Sequence, residues 1–117
     1  MRNYEDLKVW EKAHQLCLRV YEITEDFPQE EKFGLISQLR RASSSVSMNI
    51  AEGCGYETPA EFCRFLKIAS GSISETTYIL RLSKDLKFIT DDLYQELDTD
   101  AQIVKRMLYK LRISQSK

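Results

Sequence analysis

The sequence predicts an all-α fold, an antiparallel up-down-up-down four-helix bundle that forms one domain over residues 1–117. Three observations predict it. Apolar residues recur at three- and four-residue spacing in four segments, and no stretch alternates with the period of a strand. Only 4 Gly and 2 Pro interrupt the chain. The connections are short, which makes neighbouring helices antiparallel. The predicted helices are residues 6–25, 29–54, 59–87 and 91–113.

The first two helices are separated by Phe27-Pro28, because the residue before a proline avoids the helical region. The apolar face of the first helix consists of Leu7, Trp10, Ala13, Cys17, Val20 and Thr24. The second helix is expected to stop at Gly53 and Gly55 in the left-handed conformation. Its apolar seam consists of Leu35, Leu39, Ala42, Val46, Ile50 and Gly53.

The last two helices have clear start signals. Thr58 caps the third helix, Pro59 fits its first turn, and Glu61 completes a capping box. Thr90 precedes two acidic residues at the start of the fourth helix. Gly71 lies inside the third helix, where it costs roughly 1 kcal/mol against Ala, so a close helix contact is expected there. The seams are Phe62, Phe65 or Leu66, Ala69, Ile73, Thr76, Leu80 and Ser83, and Leu93, Leu97, Ala101, Val104, Leu108 and Leu111.

A second stripe flanks the apolar seam on the second and third helices. It mixes charged and apolar side chains, a pattern typical of an interface between helices of different subunits. The alternative is that the bundle buries some of these positions itself. Glu52 lies unfavourably in the last turn of its helix and is expected to pair with a cation such as Arg64 or with another subunit. The candidate interface residues are Gln38, Arg41, Ser45, Glu52, Arg64, Ile68, Glu75 and Ile79.

The charge pattern predicts where a nucleic acid would bind. The net charge of −1 gives no overall attraction to nucleic acid. No acidic residue lies between residues 105 and 117, however, and Arg40-Arg41 form an adjacent pair. Such a pair is more often a solvated face plus one structural salt bridge than a phosphate site. The candidates for nucleic-acid contact are Arg40, Arg41, Lys105, Arg106, Lys110 and Arg112.

Catalysis, metals and membranes are not expected. His14 is the only histidine, so a paired Glu-x-x-His di-metal site cannot be completed, and no nucleophile or phosphate-loop motif is present. The cysteines Cys17, Cys54 and Cys63 lack a Cys-x-x-Cys pair and indicate free thiols in a reducing compartment. With no apolar run long enough for a bilayer and no signal peptide, we expect a bacterial-type cytoplasmic protein without cofactor or small-molecule substrate.

Several segments together resemble the four-helix-bundle proteins encoded in intervening sequences of bacterial 23S ribosomal RNA genes. The chain is also similar to the accessory proteins of diversity-generating retroelements. The resemblance extends from about residue 6 to residue 89, and its most specific part is Asn49-Ile50-Ala51-Glu52-Gly53 with the upstream arginine pair. The segments are 6–13, 27–28, 34–35, 38–42, 49–53, 61–62, 65–66 and 69–75, with Trp10, Asn49, Glu52, Gly53 and Gly71 as structural signature residues.

The resemblance implies a small bundle that assembles into a ring, commonly a homopentamer, and associates with structured RNA or a ribonucleoprotein rather than catalysing a reaction. The alternative is a protein–protein adaptor or scaffold that binds no nucleic acid. The retroelement accessory proteins are strongly basic, whereas this chain carries a net charge of −1. A third hypothesis, a small metal-dependent enzyme, predicts bound metal in the purified protein.

Overall fold

The computed structural model describes residues 2–115; Met1, Ser116 and Lys117 lie outside this range. Its α-helices are α1 (Lys8–Thr24), α2 (Leu35–Cys54), α3 (Pro59–Asp85) and α4 (Asp91–Ser114). Short 3₁₀ helices, Tyr4–Asp6 and Gln29–Glu31, precede α1 and α2. The described residues contain no strand, so the all-helical prediction is confirmed.

Each helix packs against two others. α1 contacts α2 and α4, and α3 contacts the same two helices. The first third of α2 meets the end of α1, where Arg40 binds Thr24. The middle of α2 meets the middle of α3 at Ser45 and Ser72, and the start of α3 meets the end of α4, where the Cys63 thiol donates to the Arg112 carbonyl.

The core is one cluster of apolar side chains from all four helices. Val20, Leu39, Leu66 and Leu97, one from each helix, are fully buried. The predicted seams lie in this core, except that Leu7, Trp10, Leu93 and Leu111 at the helix ends are only partly buried. Among residues 2–115, no helix has both the length and the apolar character needed to cross a bilayer.

Five buried hydroxyl groups are satisfied within their own helices. The Thr24, Thr76 and Ser83 hydroxyls donate to the carbonyl four residues earlier, at 2.7–2.8 Å. Ser43 and Ser47 donate to the carbonyl three residues earlier, both at 3.2 Å. Because each hydroxyl has an acceptor in its own helix, these side chains can be buried as small spacers between closely packed helices, and Thr24 and Ser43 also contact Arg40 and Cys17 of a neighbouring helix.

The predicted start of the second helix at residue 29 is wrong. The chain forms a 3₁₀ turn at Gln29–Glu31, and α2 begins only at Leu35. Gly34 has φ −109° and ψ −107°, outside the helical region, which interrupts the helix. The Glu31 carboxylate accepts a hydrogen bond from the Leu35 amide at 3.1 Å and so satisfies a free donor of the first turn.

The predicted left-handed stop at Gly53 and Gly55 is also wrong. No described glycine has a positive φ, and Gly55 at the end of α2 has φ −78° and ψ −9°. Gly53 lies within the helix and has a packing role, because an added Cβ would lie 2.8 Å from the Phe65 Cβ and 3.2 Å from Phe62 Cδ1.

A lysine adopts the left-handed conformation at the end of α3. Lys87 has φ 67° and is the only non-glycine residue with positive φ in the described chain. The Phe88 amide donates to the Ser83 carbonyl and the Lys87 amide to the Lys84 carbonyl, both at 2.9 Å, which is the Schellman pattern. The turn carries Phe88 back onto Phe27, with ring centroids 5.4 Å apart.

We expect Lys87→Gly to raise the free energy of unfolding by about 0.5–1 kcal/mol, because glycine adopts this conformation without a Cβ clash. Urea denaturation followed by circular dichroism measures the change. Lys87→Ala is the matched control, since it removes the same charge but keeps a Cβ. Equal stability of the two variants would contradict the strain at residue 87.

Candidate functional site

The outward surface of α2 and α3 carries most of the predicted interface residues. Met48 and Ile68 lie on it with 64% and 43% of their surface exposed. Exposed apolar groups beside exposed charges make this the candidate assembly surface. We call it the α2–α3 face and define it as Gln38, Arg41, Ser45, Met48, Glu52, Arg64, Ile68, Ser72 and Glu75.

A chain of hydrogen bonds joins α2 to α3 at the centre of this face. The Asn49 amide donates to the Ser45 carbonyl at 2.8 Å and to Ser45 Oγ at 3.0 Å. Ser45 Oγ and Ser72 Oγ are 2.9 Å apart. Because Asn49 already donates to Ser45 Oγ, the Ser45 hydroxyl is free to donate to Ser72. Asn49 therefore contacts Ser45 within α2, and Ser45 in turn contacts Ser72 of α3.

Four charged residues of the α2–α3 face have no ion-pair partner among the described residues: Arg41, Glu52, Arg64 and Glu75. The expected Glu52–Arg64 pair is not formed, because the Arg64 guanidinium stacks on the Phe65 ring, 4.5 Å from its centroid. The face therefore presents both signs of charge without neutralising them internally.

Two predicted features of this region are wrong. Ile79 has only 3% of its surface exposed, because it packs in the core cluster of its own chain. It therefore offers no surface to another subunit. Gly71 makes no close helix contact: nothing lies within 4 Å of the position of an added Cβ. Its side of α3 faces solvent, beside Ser72 and Glu75.

The adjacent arginines differ in role, and Arg40 is not a free surface cation. Its guanidinium donates to Thr24 Oγ1 at 2.8 Å and to the Tyr21 carbonyl at 3.3 Å, and lies 4.6 Å from the centroid of the Tyr21 ring. It thus binds the C-terminal turn of α1, where carbonyl groups lack helical donors. Arg41 is exposed on the α2–α3 face.

The basic candidates of α4 lie mainly on its solvent side. Lys105, Arg106 and Lys110 are exposed and form no ion pair among the described residues. Arg112 is half-buried, and its guanidinium lies 5.7 Å from the Tyr109 ring centroid.

The N-terminal segment contributes contacts that the sequence patterns did not indicate. The Arg2 guanidinium lies 4.1 Å from the centroid of Phe62 and donates to Gln115 Oε1 at 2.8 Å. This closes the end of the bundle where α2 and α4 finish. Nearby, Trp10 stacks on His14 with centroids 5.0 Å apart, which gives the signature tryptophan a structural role. The contacts of Arg2 have no periodic signal in the sequence, whereas Trp10 and His14 have the four-residue spacing of neighbours on a helix.

The cysteines are separate and in protected surroundings. Burial raises the pKa of the Cys17 thiol, and a hydrogen bond from Ser43 opposes this in part. Burial likewise raises the pKa of Cys54, opposed in part by the charge of Arg2. Both thiols therefore stay protonated at neutral pH, which disfavours thiolate chemistry. Within residues 2–115, no three His, Cys, Asp or Glu side chains are grouped closely enough to hold a metal ion.

Residues 5–110 match the family described as 23S rRNA-intervening sequence protein. The chain belongs to this family. The match confirms that part of the resemblance predicted from the arginine pair and the Asn-Ile-Ala-Glu-Gly segment. The relation to retroelement accessory proteins stays a prediction.

A solved structure agrees with the fold of this family member. The chain is similar to a protein of unknown function from the S23 ribosomal protein family of Bacteroides thetaiotaomicron VPI-5482, with a TM-score of 0.80 and 24% identity. The similarity covers 89% of this chain and 97% of the other. A comparison with curated protein sequences finds no match.

Replacement of the two glycines that lie inside helices, Gly53 and Gly71, should have opposite effects on the free energy of unfolding. We expect Gly53→Ala to lower the free energy of unfolding by about 1–3 kcal/mol, because the new methyl group overlaps Phe65. Gly71→Ala should raise it by about 0.5–1 kcal/mol, because the site is open and alanine favours the helix. Urea denaturation at one fixed protein concentration measures both; equal effects would contradict the assigned packing roles.

Arg40→Ala should lower the free energy of unfolding by about 1–3 kcal/mol, since it removes two charge-assisted hydrogen bonds to the end of α1. The control is Arg81→Ala, which removes an exposed pair with Asp85 and should change stability by less than about 0.5 kcal/mol. Thermal and urea denaturation compare the variants. If Arg40→Ala is as stable as the control, the Arg40 contacts contribute no net stability.

Proposed function

We propose that the chain is a non-catalytic subunit of a homo-oligomeric ring that associates with structured RNA or a ribonucleoprotein. The observation that carries this proposal is the α2–α3 face, where exposed Met48 and Ile68 lie among charges without partners. The proposal includes a cytoplasmic location and no membrane, cofactor, metal or small-molecule substrate.

We infer an up-down-up-down order for the helices within the subunit. The contacts that support it join opposite ends of consecutive helices: Arg40 with Thr24, and Cys63 with Arg112. The central pair, Ser45 with Ser72, is consistent with α2 and α3 running antiparallel. Such an order leaves one long side of each helix available to solvent or to another subunit.

Self-association would supply what the α2–α3 face lacks within one chain. Each exposed charge of one sign would meet the opposite sign on a neighbouring copy, and the apolar side chains would leave water. A closed ring needs a second, different patch on each subunit, so the charges need not pair with identical residues. The resemblance to the family implies five subunits.

RNA association is proposed from family membership and from the basic half of α4. Lys105, Arg106 and Lys110 are exposed, and a ring would repeat them around its circumference. Repetition matters because the single chain has a net charge of −1, and one weak patch gives low affinity. Arg40 is not part of this proposal, because its guanidinium is bound to α1.

Charge reversal on the α2–α3 face tests assembly. We expect Arg41→Glu and Glu75→Lys each to lower the molar mass measured by light scattering, because like charges would then meet in the interface. Native mass spectrometry of the unmodified protein counts the subunits. The helix content should not change, because both side chains are exposed.

The control for these variants is Lys67→Glu, an equal reversal at an exposed position of α3 outside the α2–α3 face. It should keep the molar mass of the unmodified protein. A monomeric unmodified protein at high concentration would overturn the ring. An unchanged mass in both test variants would remove the α2–α3 face from the interface.

The second candidate function is a protein–protein adaptor without nucleic acid, which the net charge of −1 favours. Purification of the protein from its native cells, with sequencing of bound RNA and mass spectrometry of bound proteins, separates the two. Enrichment of one structured RNA supports the first proposal. A protein partner that stays bound after ribonuclease treatment, with no enriched RNA, supports the adaptor.

A further inference from the structure

We propose that Lys8 and Lys12 of α1 join Arg106 and Lys110 of α4 in one groove that binds the phosphate backbone of RNA. We call this surface the α1–α4 groove. The inference rests on the RNA association proposed above and extends it, because it adds a second helix to the site and assigns the binding to one side of the bundle.

The groove is built by the packing of the start of α1 on the end of α4. Leu7, Lys8 and Val9 form one wall of a shallow depression of about 160 Å³, and Met107 and Leu111 form the other. Further along, Lys12 lines a second depression together with Asp100 and Ile103.

The two α4 cations lie one helical turn from wall residues. Arg106 lies one helical turn after Ile103 and Lys110 one turn after Met107, so both border the walls of the two depressions, and both are exposed. Lys8 and Lys12 are also exposed and lie one helical turn apart, as do Arg106 and Lys110. Packed helices are about 8–10 Å apart, so four cations on two helices can contact several phosphates of one backbone.

The four cations of the groove are exposed to solvent. None of its four cations forms an ion pair among residues 2–115. Nearer the other end of the bundle, by contrast, Arg19 pairs with Glu96 at 2.6 Å and Arg81 with Asp85 at 3.4 Å. When a free cation of the protein binds a phosphate, it releases a counterion condensed on the RNA, and this release is the source of salt-dependent affinity.

The acidic residues next to the groove in sequence or in space are Glu5, Asp6, Glu11 and Asp100. Glu11 accepts a hydrogen bond from the Gln15 amide at 3.4 Å. Asp100 lies beside Lys12 at the inner end, so the positive surface ends there. At the outer end, Asp6 belongs to the 3₁₀ helix before α1. The positive surface of the groove is therefore short, so each subunit would contact only a few phosphates of the RNA.

An aromatic side chain borders the cations on α4. Tyr109 has 56% of its surface exposed and lies between Arg106 and Lys110 in the sequence. Exposed aromatic rings beside cations are typical of nucleic-acid surfaces, because a base or sugar can pack against the ring. Lys8 lines the depression together with apolar side chains of both helices, a setting in which the aliphatic stem of a lysine packs on the apolar surface and its ammonium group extends into water.

The groove lies across the bundle from the proposed assembly surface. α1 and α4 contact each other, whereas the α2–α3 face belongs to the other two helices. RNA binding and assembly through the α2–α3 face therefore use different side chains, and variants can affect one without the other.

Fluorescence anisotropy with a labelled 24-nucleotide RNA hairpin tests the groove over a series of salt concentrations. For the unmodified protein we expect log K to fall with log salt with a slope of about −3 to −4 per subunit site, as four phosphate contacts imply. The double variant Lys8→Ala/Lys12→Ala should reduce the magnitude of this slope by about 2, and so should Arg106→Ala/Lys110→Ala.

The control is Lys32→Ala/Arg81→Ala, which removes two exposed cations elsewhere on the surface and should bind like the unmodified protein. Light scattering checks that each variant keeps its molar mass. If the hairpin binds but Lys8→Ala/Lys12→Ala keeps the full slope, the groove is overturned while RNA association stands. If the unmodified protein binds no hairpin at low salt, the RNA association fails as well.

Discussion

The close approach of α2 to α3 at Gly53 is the constraint on which the other contacts depend. The glycine has no Cβ, so Phe65 and Phe62 can lie directly against the α2 backbone. This contact fixes the distance between the two helices at one end, and the Ser45–Ser72 hydrogen bond fixes their register at the centre. The α2–α3 face depends on both contacts, because its residues come from the two helices that these contacts hold together.

Small hydroxyl side chains make this packing possible elsewhere in the bundle. The hydroxyls of Thr24, Ser43, Ser47, Thr76 and Ser83 donate within their own helices, so burial costs little and neighbouring helices come near. The described residues contain no buried side-chain nitrogen or oxygen atom without a hydrogen-bond partner. A serine-rich helix that looks polar in sequence can therefore form the centre of the core.

Periodicity predicted the four helices and most of the buried seams, since burial of one face is what spaces the apolar residues. It failed where one residue type has several uses. Gly34 interrupts a helix, Gly53 permits a close contact and Gly71 faces solvent, yet all three are glycines in helical surroundings. Periodicity also did not predict the binding of Arg40 to the end of α1. A long side chain can reach an adjacent helix, and the distance between the two helices cannot be calculated from the sequence.

The solvent-facing Gly71 also has a consequence for motion. Glycine weakens the helix at its centre, and no side chain from the same chain covers the backbone there. The amide hydrogens of the following turn, residues 72–75, should therefore exchange with deuterated solvent sooner than those around Leu80, whose side chain is fully buried. A neighbouring subunit packed on this turn would slow that exchange. The exchange rate of these amides would therefore distinguish a monomer from an assembly in which α3 is covered.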